Sequence, residues 1–186
     1  MLSTLPLALF ALVVFATLLR GRSVRTRSGT SAWAFADARG IQRLSGVAFA
    51  LSSAALGVAA ALLALGHIAP AFPLGGTLVV AIGAAIVIVA QVQMGNAWRV
   101  GVRDGDASLF VTAGLFRFSR NPIFVGMILM ALGIALAADT LWCWAAAAAF
   151  AIAYHIQARI EEAHLSREFG PAYDDFRRRV PRWLLV

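Results

Sequence analysis

Two short stretches put charge where an apolar chain can least accommodate it. The first, "RFSRNPIFVG" from Arg117 to Gly126, sets Arg117, Arg120, Asn121 and Pro122 directly against the start of an apolar run. Asn is a strong N-cap and Pro is favoured at the first helical position, so a helix is predicted to begin at Asn121 and Pro122. Its free N–H groups, the positive end of its dipole and the two arginines have the chemistry of an anion pocket. The same arginines could instead reach for lipid phosphates and enforce topology. The second stretch, "YHIQARIEEAHL", sets Tyr154, Gln157, Glu161 and His164 along one side of a helix, with His155, Arg159 and Glu162 along an adjacent side. Polar side chains at the end of a membrane helix usually face protein or a water-filled cleft. The plainer alternative is an interfacial ladder in which Arg159 pairs with Glu162 and contributes little.

Two further features accompany them. In the tail, "REFGPAYDDFRRRVPRWL", Gly170 and Pro171 stop one helix and allow another, on which Tyr173, Phe176 and Val180 recur on one face. Such a segment is expected to lie along the membrane surface, its arginines on lipid headgroups or closing over a cytosolic pocket. In "QVQMGNAWR", Gln91 could bond another helix, Gly95 could permit close approach of a ligand or backbone, and Trp98 fits an interface anchor.

The elements that must position these residues follow from composition. Of 186 residues, 61% are hydrophobic and 13% charged, too apolar a chain for a soluble domain. Apolar segments run over 2–19, 44–68, 72–94, 122–138 and 140–156, and a spanning helix needs about 20 residues. The predicted fold is therefore all-α: five transmembrane helices in one domain, 1–186, and a C-terminal amphipathic interfacial helix. The one-residue connection at Asp139 points to a tight hairpin between the last two helices, with Asp139 capping the second. The first segment lacks a basic leader and a small-residue cleavage site, so it reads as a retained anchor.

The net charge of +7 arises with no lysine at all. In a soluble protein that excess would suggest nucleic acid; in this chain it marks topology, and no nucleic-acid partner is expected. All sixteen arginines fall after the first, third and fifth segments, while the opposite turns hold only His67 and Asp139. Basic loops stay cytoplasmic, which predicts an outside N-terminus and a cytosolic C-terminus, in a membrane expected to be a bacterial inner membrane. The single cysteine, Cys143, rules out a disulfide framework or thiolate cluster, and no metal site is expected.

Taken in order, "GLFRFSRNPIFVG", an apolar hairpin and "RIEEAHLSREFGPAYDDFRRRVPRWL" resemble the isoprenylcysteine carboxyl methyltransferase family and the related phospholipid methyltransferases. The resemblance spans roughly Gly95 to Trp183. It implies S-adenosylmethionine bound in a cytosol-facing cleft made by the last two membrane helices and the tail. Carried over by position, Arg120, Asn121, Pro122, Phe124, Gly126, Tyr154, Glu161, Glu162 and Tyr173 would form the cofactor site, with Arg117, Arg120, Glu161 and Glu162 acting on the reactants. An arginine suits the cofactor's carboxylate and a glutamate its ammonium or ribose hydroxyls. Two departures stand out: Asn121 replaces a histidine common in the family, and Phe116, Phe118 and Phe124 replace tyrosines. Asn121 can cap and bond but cannot exchange a proton near neutral pH. The implied function is methyl transfer to a lipophilic acceptor, an isoprenylcysteine-like carboxylate or a lipid amine, among membrane lipids. The alternatives are a nicotinamide-dependent membrane reductase and a non-catalytic lipid-binding subunit.

Overall fold

The computed structural model describes residues 2–28, 40–95 and 110–184. Trp98, Arg99 and Arg103, like Asp37 and Arg39, lie outside the described residues. The helices are α1 (Leu5–Ser28), α2 (Gly40–Ala64), α3 (Pro73–Met94), α4 (Pro122–Ala138), α5 (Leu141–Phe169) and α6 (Pro171–Arg179). Short 3₁₀ turns at Leu2–Thr4 and Gly114–Arg117 complete the structure, and no strand occurs among the described residues. α1, α2, α3 and α5 are long and apolar enough to cross a membrane, and α4 is a shorter apolar helix. With 17 residues, α4 extends roughly 26 Å, a few ångströms less than the hydrocarbon core of about 30 Å.

Helix ends differ from the apolar boundaries in an instructive way. The apolar run 140–156 covers only part of α5, which continues as one helix to Phe169, because "RIEEAHLSREF" is polar yet rich in good helix formers. Apolarity marks the bilayer, whereas termination needs Gly170, which takes φ 51°, and Pro171 after it. The predicted cap at Asp139 is corrected. Asp139 adopts the left-handed conformation that closes α4, its N–H donating to the Ala135 carbonyl at 2.7 Å, and Thr140 takes the N-cap position of α5. Its carboxylate accepts the Trp144 indole N–H at 2.9 Å.

α4 is the central helix, packed against α1, α2, α3 and α5, with its broadest contact on α3. That contact is a glycine seam. A Cβ added at Gly83 would lie 2.5 Å from the Gly126 carbonyl oxygen, and one at Gly76 would lie 2.6 Å from that of Gly133. The reverse additions at Gly126 and Gly133 would meet the carbonyls of Gly83 and Gly76 at 2.6 and 2.7 Å. Equal seven-residue spacings on antiparallel helices thus let two backbones touch, a source of association where lipid removes the usual hydrophobic drive. Val80, Val87, Met130 and Ile134 fill the space around the seam.

Polar links tie the remaining helices. Gln91 on α3 donates to the Thr17 hydroxyl on α1 at 2.8 Å, the interhelical bond expected of it. Ser45 on α2 donates to the Ala153 carbonyl on α5 at 3.0 Å. Gly95 serves differently from the expectation of close approach. No atom of the described residues beyond its chain neighbours lies within 4 Å of an added Cβ, and the glycine is needed for φ +52° at the end of α3, where its carbonyl accepts the Arg20 guanidinium.

α6 is amphipathic, and its apolar face is turned onto protein. Tyr173, Phe176 and Val180 are buried against Phe110, Leu165 and Phe169. Ser166 on α5 donates to the Asp174 carboxylate at 2.8 Å, fixing the start of α6 to the end of α5. On its outer side Arg177 pairs with Asp174 at 3.4 Å and Arg178 with Asp175.

Candidate active site at the head of α4

α4 begins at Pro122 as the sequence predicts, with Asn121 at the N-cap position. The Asn121 side chain does not cap the helix, however. Its Nδ2 donates across to the Glu162 carboxylate on α5 at 3.1 Å. The turn before it is organised by Ser119, fully buried, whose hydroxyl accepts the Asn121 N–H at 3.1 Å and donates to the Arg182 carbonyl at 2.9 Å. The Arg120 N–H donates to the Pro181 carbonyl at 2.9 Å. The segment after α6 therefore folds back over the approach to α4.

Glu162 is the hub. Twenty-one residues after Leu141, it stands roughly 32 Å along α5, about one hydrocarbon thickness from that helix's start. Arg182 grips it by both oxygens, Nε on Oε1 and Nη2 on Oε2, each at 2.9 Å. Arg120 approaches Oε2 through Nη2 at 3.5 Å. With Asn121 added, a carboxylate only 4% exposed is met from three directions. That satisfies a charge whose burial would otherwise be prohibitive.

Two guanidinium groups on one carboxylate leave an excess positive charge in a confined space. Burial pushes the Arg120 guanidinium below its usual range, and the Glu162 carboxylate only partly counters this. Arg182 moves the other way, raised by its hydrogen bonds to Glu162. Tyr173 is pushed up by burial and then by the Glu162 charge, so it stays a neutral phenol.

Arg120 is not fully used. Its side chain is 9% exposed, yet Nε and Nη1 are buried with no hydrogen-bond partner among the described residues. On α5, Gln157 donates from Nε2 to Glu161 at 3.0 Å while its own Oε1, also buried, has no partner among the described residues. Glu161 is thus held by an amide, and Glu162 by arginines. Adjacent glutamates on one helix face different surroundings, the arrangement that lets two like groups do different work.

Arg120, Asn121 and Glu162 come together as expected from the sequence, while Glu161, next to Glu162 on α5, is bonded to Gln157. Phe124 and Tyr154 sit against each other with ring centroids 4.5 Å apart, and Phe49 and Phe150 pack on Tyr154 at 5.2 and 4.8 Å. Gly126 belongs to the seam with α3, and Tyr173, buried in the α6 cluster, lies close enough to feel the charges of Glu162 and Arg120. Arg117 is exposed on the 3₁₀ turn before α4. The Arg159–Glu162 pair weighed from the sequence does not form, because Arg182 occupies both carboxylate oxygens. Arg182 and Ser119 are the participants that the sequence patterns did not place in the site, whereas Gln157 already lined one helix side with Tyr154 and Glu161. Pro181 ahead of Arg182 was the available signal, since it ends α6 and turns the chain.

Fold and site together define an all-α integral membrane protein with a buried arginine–glutamate cluster at one end of its central helix. The family model described as phospholipid methyltransferase matches residues 72–172, more than half of the chain. The chain belongs to this family of integral membrane methyltransferases. The match contains Arg120, Asn121, Glu161 and Glu162 and ends before Arg182. No curated protein and no solved structure matches the chain.

Proposed function

We propose that the chain transfers a methyl group from S-adenosylmethionine to a lipophilic acceptor entering from the bilayer at the cytosolic face. The observation that carries this is the pair of buried donors on Arg120 that have no partner among the described residues, together with Glu161, which is bonded to Gln157 and to no described arginine. A buried cation with free N–H groups fits a carboxylate, ideally by the bidentate geometry only arginine offers. Glu161 and the free Gln157 oxygen fit an ammonium or ribose hydroxyls at the other end of the same zwitterion. Phe124 and Tyr154 offer an aromatic surface beside them. When bound, the cofactor supplies an electrophilic methyl group on a sulfonium centre and leaves as a neutral thioether.

The residues of this chain would hold the reactants in line and exclude water, which favours a reaction that merges opposite charges. An isoprenylcysteine-like carboxylate is already ionised and needs no base. A lipid amine must lose a proton, and Glu161 is the carboxylate free to accept it. Placement of the arginine-rich connections supports a cytosolic site, an outside N-terminus and an inner-membrane location. The whole chain, 1–186, then acts as one methyltransferase unit, with the tail completing the site.

The test is incubation of membranes containing the protein with methyl-labelled cofactor, followed by lipid extraction. Protein-dependent label in the lipid fraction is expected, base-labile for an ester and stable for an amine. Label no greater than in membranes lacking the protein would overturn the reading.

A further inference from the structure

Arg182 lies ten residues beyond the end of the family match, on the segment that leaves α6 at Pro181. Its position is set by backbone as well as by charge. The Pro181 carbonyl accepts the Arg120 N–H, and the Arg182 carbonyl accepts the Ser119 hydroxyl at 2.9 Å and Asn121 Nδ2 at 3.5 Å. The guanidinium is thereby delivered to Glu162, which it holds through two bonds of 2.9 Å. Arg120 meets the same carboxylate at 3.5 Å only. Two arginines compete for one carboxylate, and Arg182 has it.

We propose that Arg182 is a positioning residue for the cofactor: by occupying both oxygens of Glu162 it stops that carboxylate closing on Arg120, whose Nε and Nη1 stay available for the ligand's carboxylate. This rests on the cofactor reading above. If Arg182 is removed, Glu162 becomes a free carboxylate beside a guanidinium with two unfilled donors, and the two will form their own fork. A ligand carboxylate must then displace Glu162 before it can bind. Removing the Glu162 charge in the same molecule lifts that competition. A residue that merely tied down the tail would behave otherwise, because a double variant with still fewer tethers would bind no better than the single one.

The experiment is calorimetric binding of S-adenosylhomocysteine to the full chain purified in detergent, comparing wild type, R182M, R182K and E162Q/R182M, with melting temperatures alongside. R182M is expected to bind about tenfold more weakly or worse, the scale of a lost charge-assisted hydrogen bond. R182K, which keeps the charge without the fork, falls between. The double variant binds more tightly than R182M although it melts no higher. Should R182M fail to fold, the same comparison is made between R182K and E162Q/R182K. Wild-type affinity in R182M, or a double variant no tighter than its single parent, overturns the positioning role. A wild-type protein that binds no S-adenosylhomocysteine overturns the cofactor reading itself, and this inference with it.

Discussion

Asn121 Nδ2 donates to Glu162 Oε1 at 3.1 Å, joining the residue before α4 to a carboxylate 41 positions later on α5. An asparagine that the sequence marks as a helix cap thus acts as a bridge between helices. The helix start is left to Pro122, whose missing N–H costs nothing at that position. Replacing Asn121 by alanine removes a hydrogen bond to a charged group, expected to cost about 1–3 kcal/mol. Histidine keeps a ring N–H donor and should retain more stability than alanine. Thermal melting of the two variants in detergent checks this, and N121A melting with the wild type would show that the bond has no weight.

The two glutamates should separate stability from binding. E162Q leaves two confined guanidinium groups without their counter-charge, and breaking a buried ion pair on one side costs about 3–5 kcal/mol. E161Q breaks no ion pair among the described residues, where Glu161 is bonded to Gln157, and is expected to melt close to the wild type. Its cofactor affinity should nevertheless fall. Melting and binding measured on both variants check the division of labour; a destabilised E161Q beside an unaffected E162Q would reverse it.

The glycine seam makes a sharp contrast between neighbours. At Gly83 an added Cβ meets the Gly126 carbonyl oxygen at 2.5 Å, whereas at Gly75 the nearest atom is the end of the Leu136 side chain at 3.8 Å. G83A must therefore push α3 off α4, at an overpacking cost of about 1–3 kcal/mol or more, while G75A should be neutral or slightly stabilising. Yields and melting temperatures of the two purified variants check it, and G83A indistinguishable from G75A would mean that the helices are not in backbone contact.

Much of this architecture was legible because lipid imposes long apolar runs that composition alone exposes. The α4 boundaries, Pro122 to Ala138, coincide with the predicted segment since a prolyl start and an apolar run mark the same residues. The end of α5 was legible from Gly170 and Pro171 but not from hydropathy, because a polar extension that stays helical changes hydropathy without changing backbone. At the site, Arg120, Asn121 and Glu162 were visible as charged and polar residues at membrane-helix ends. Arg182 was not, since sixteen arginines share one topological role and only the turn at Pro181 gives this one another. Gly126, expected at the cofactor site from the family resemblance, has a structural use that the sequence did not show: its missing side chain lets Gly83 approach across the seam.

The central claim is that buried Arg120 spends its unpartnered Nε and Nη1 on an anionic group of the cofactor. The direct measurement is saturable binding of radiolabelled S-adenosylmethionine to purified wild type and R120M, each with its melting temperature. Because Glu162 keeps Arg182, R120M should melt at or above the wild type while its affinity falls about tenfold or more. Equal affinity in the two proteins, or no saturable binding by the wild type, would contradict the account.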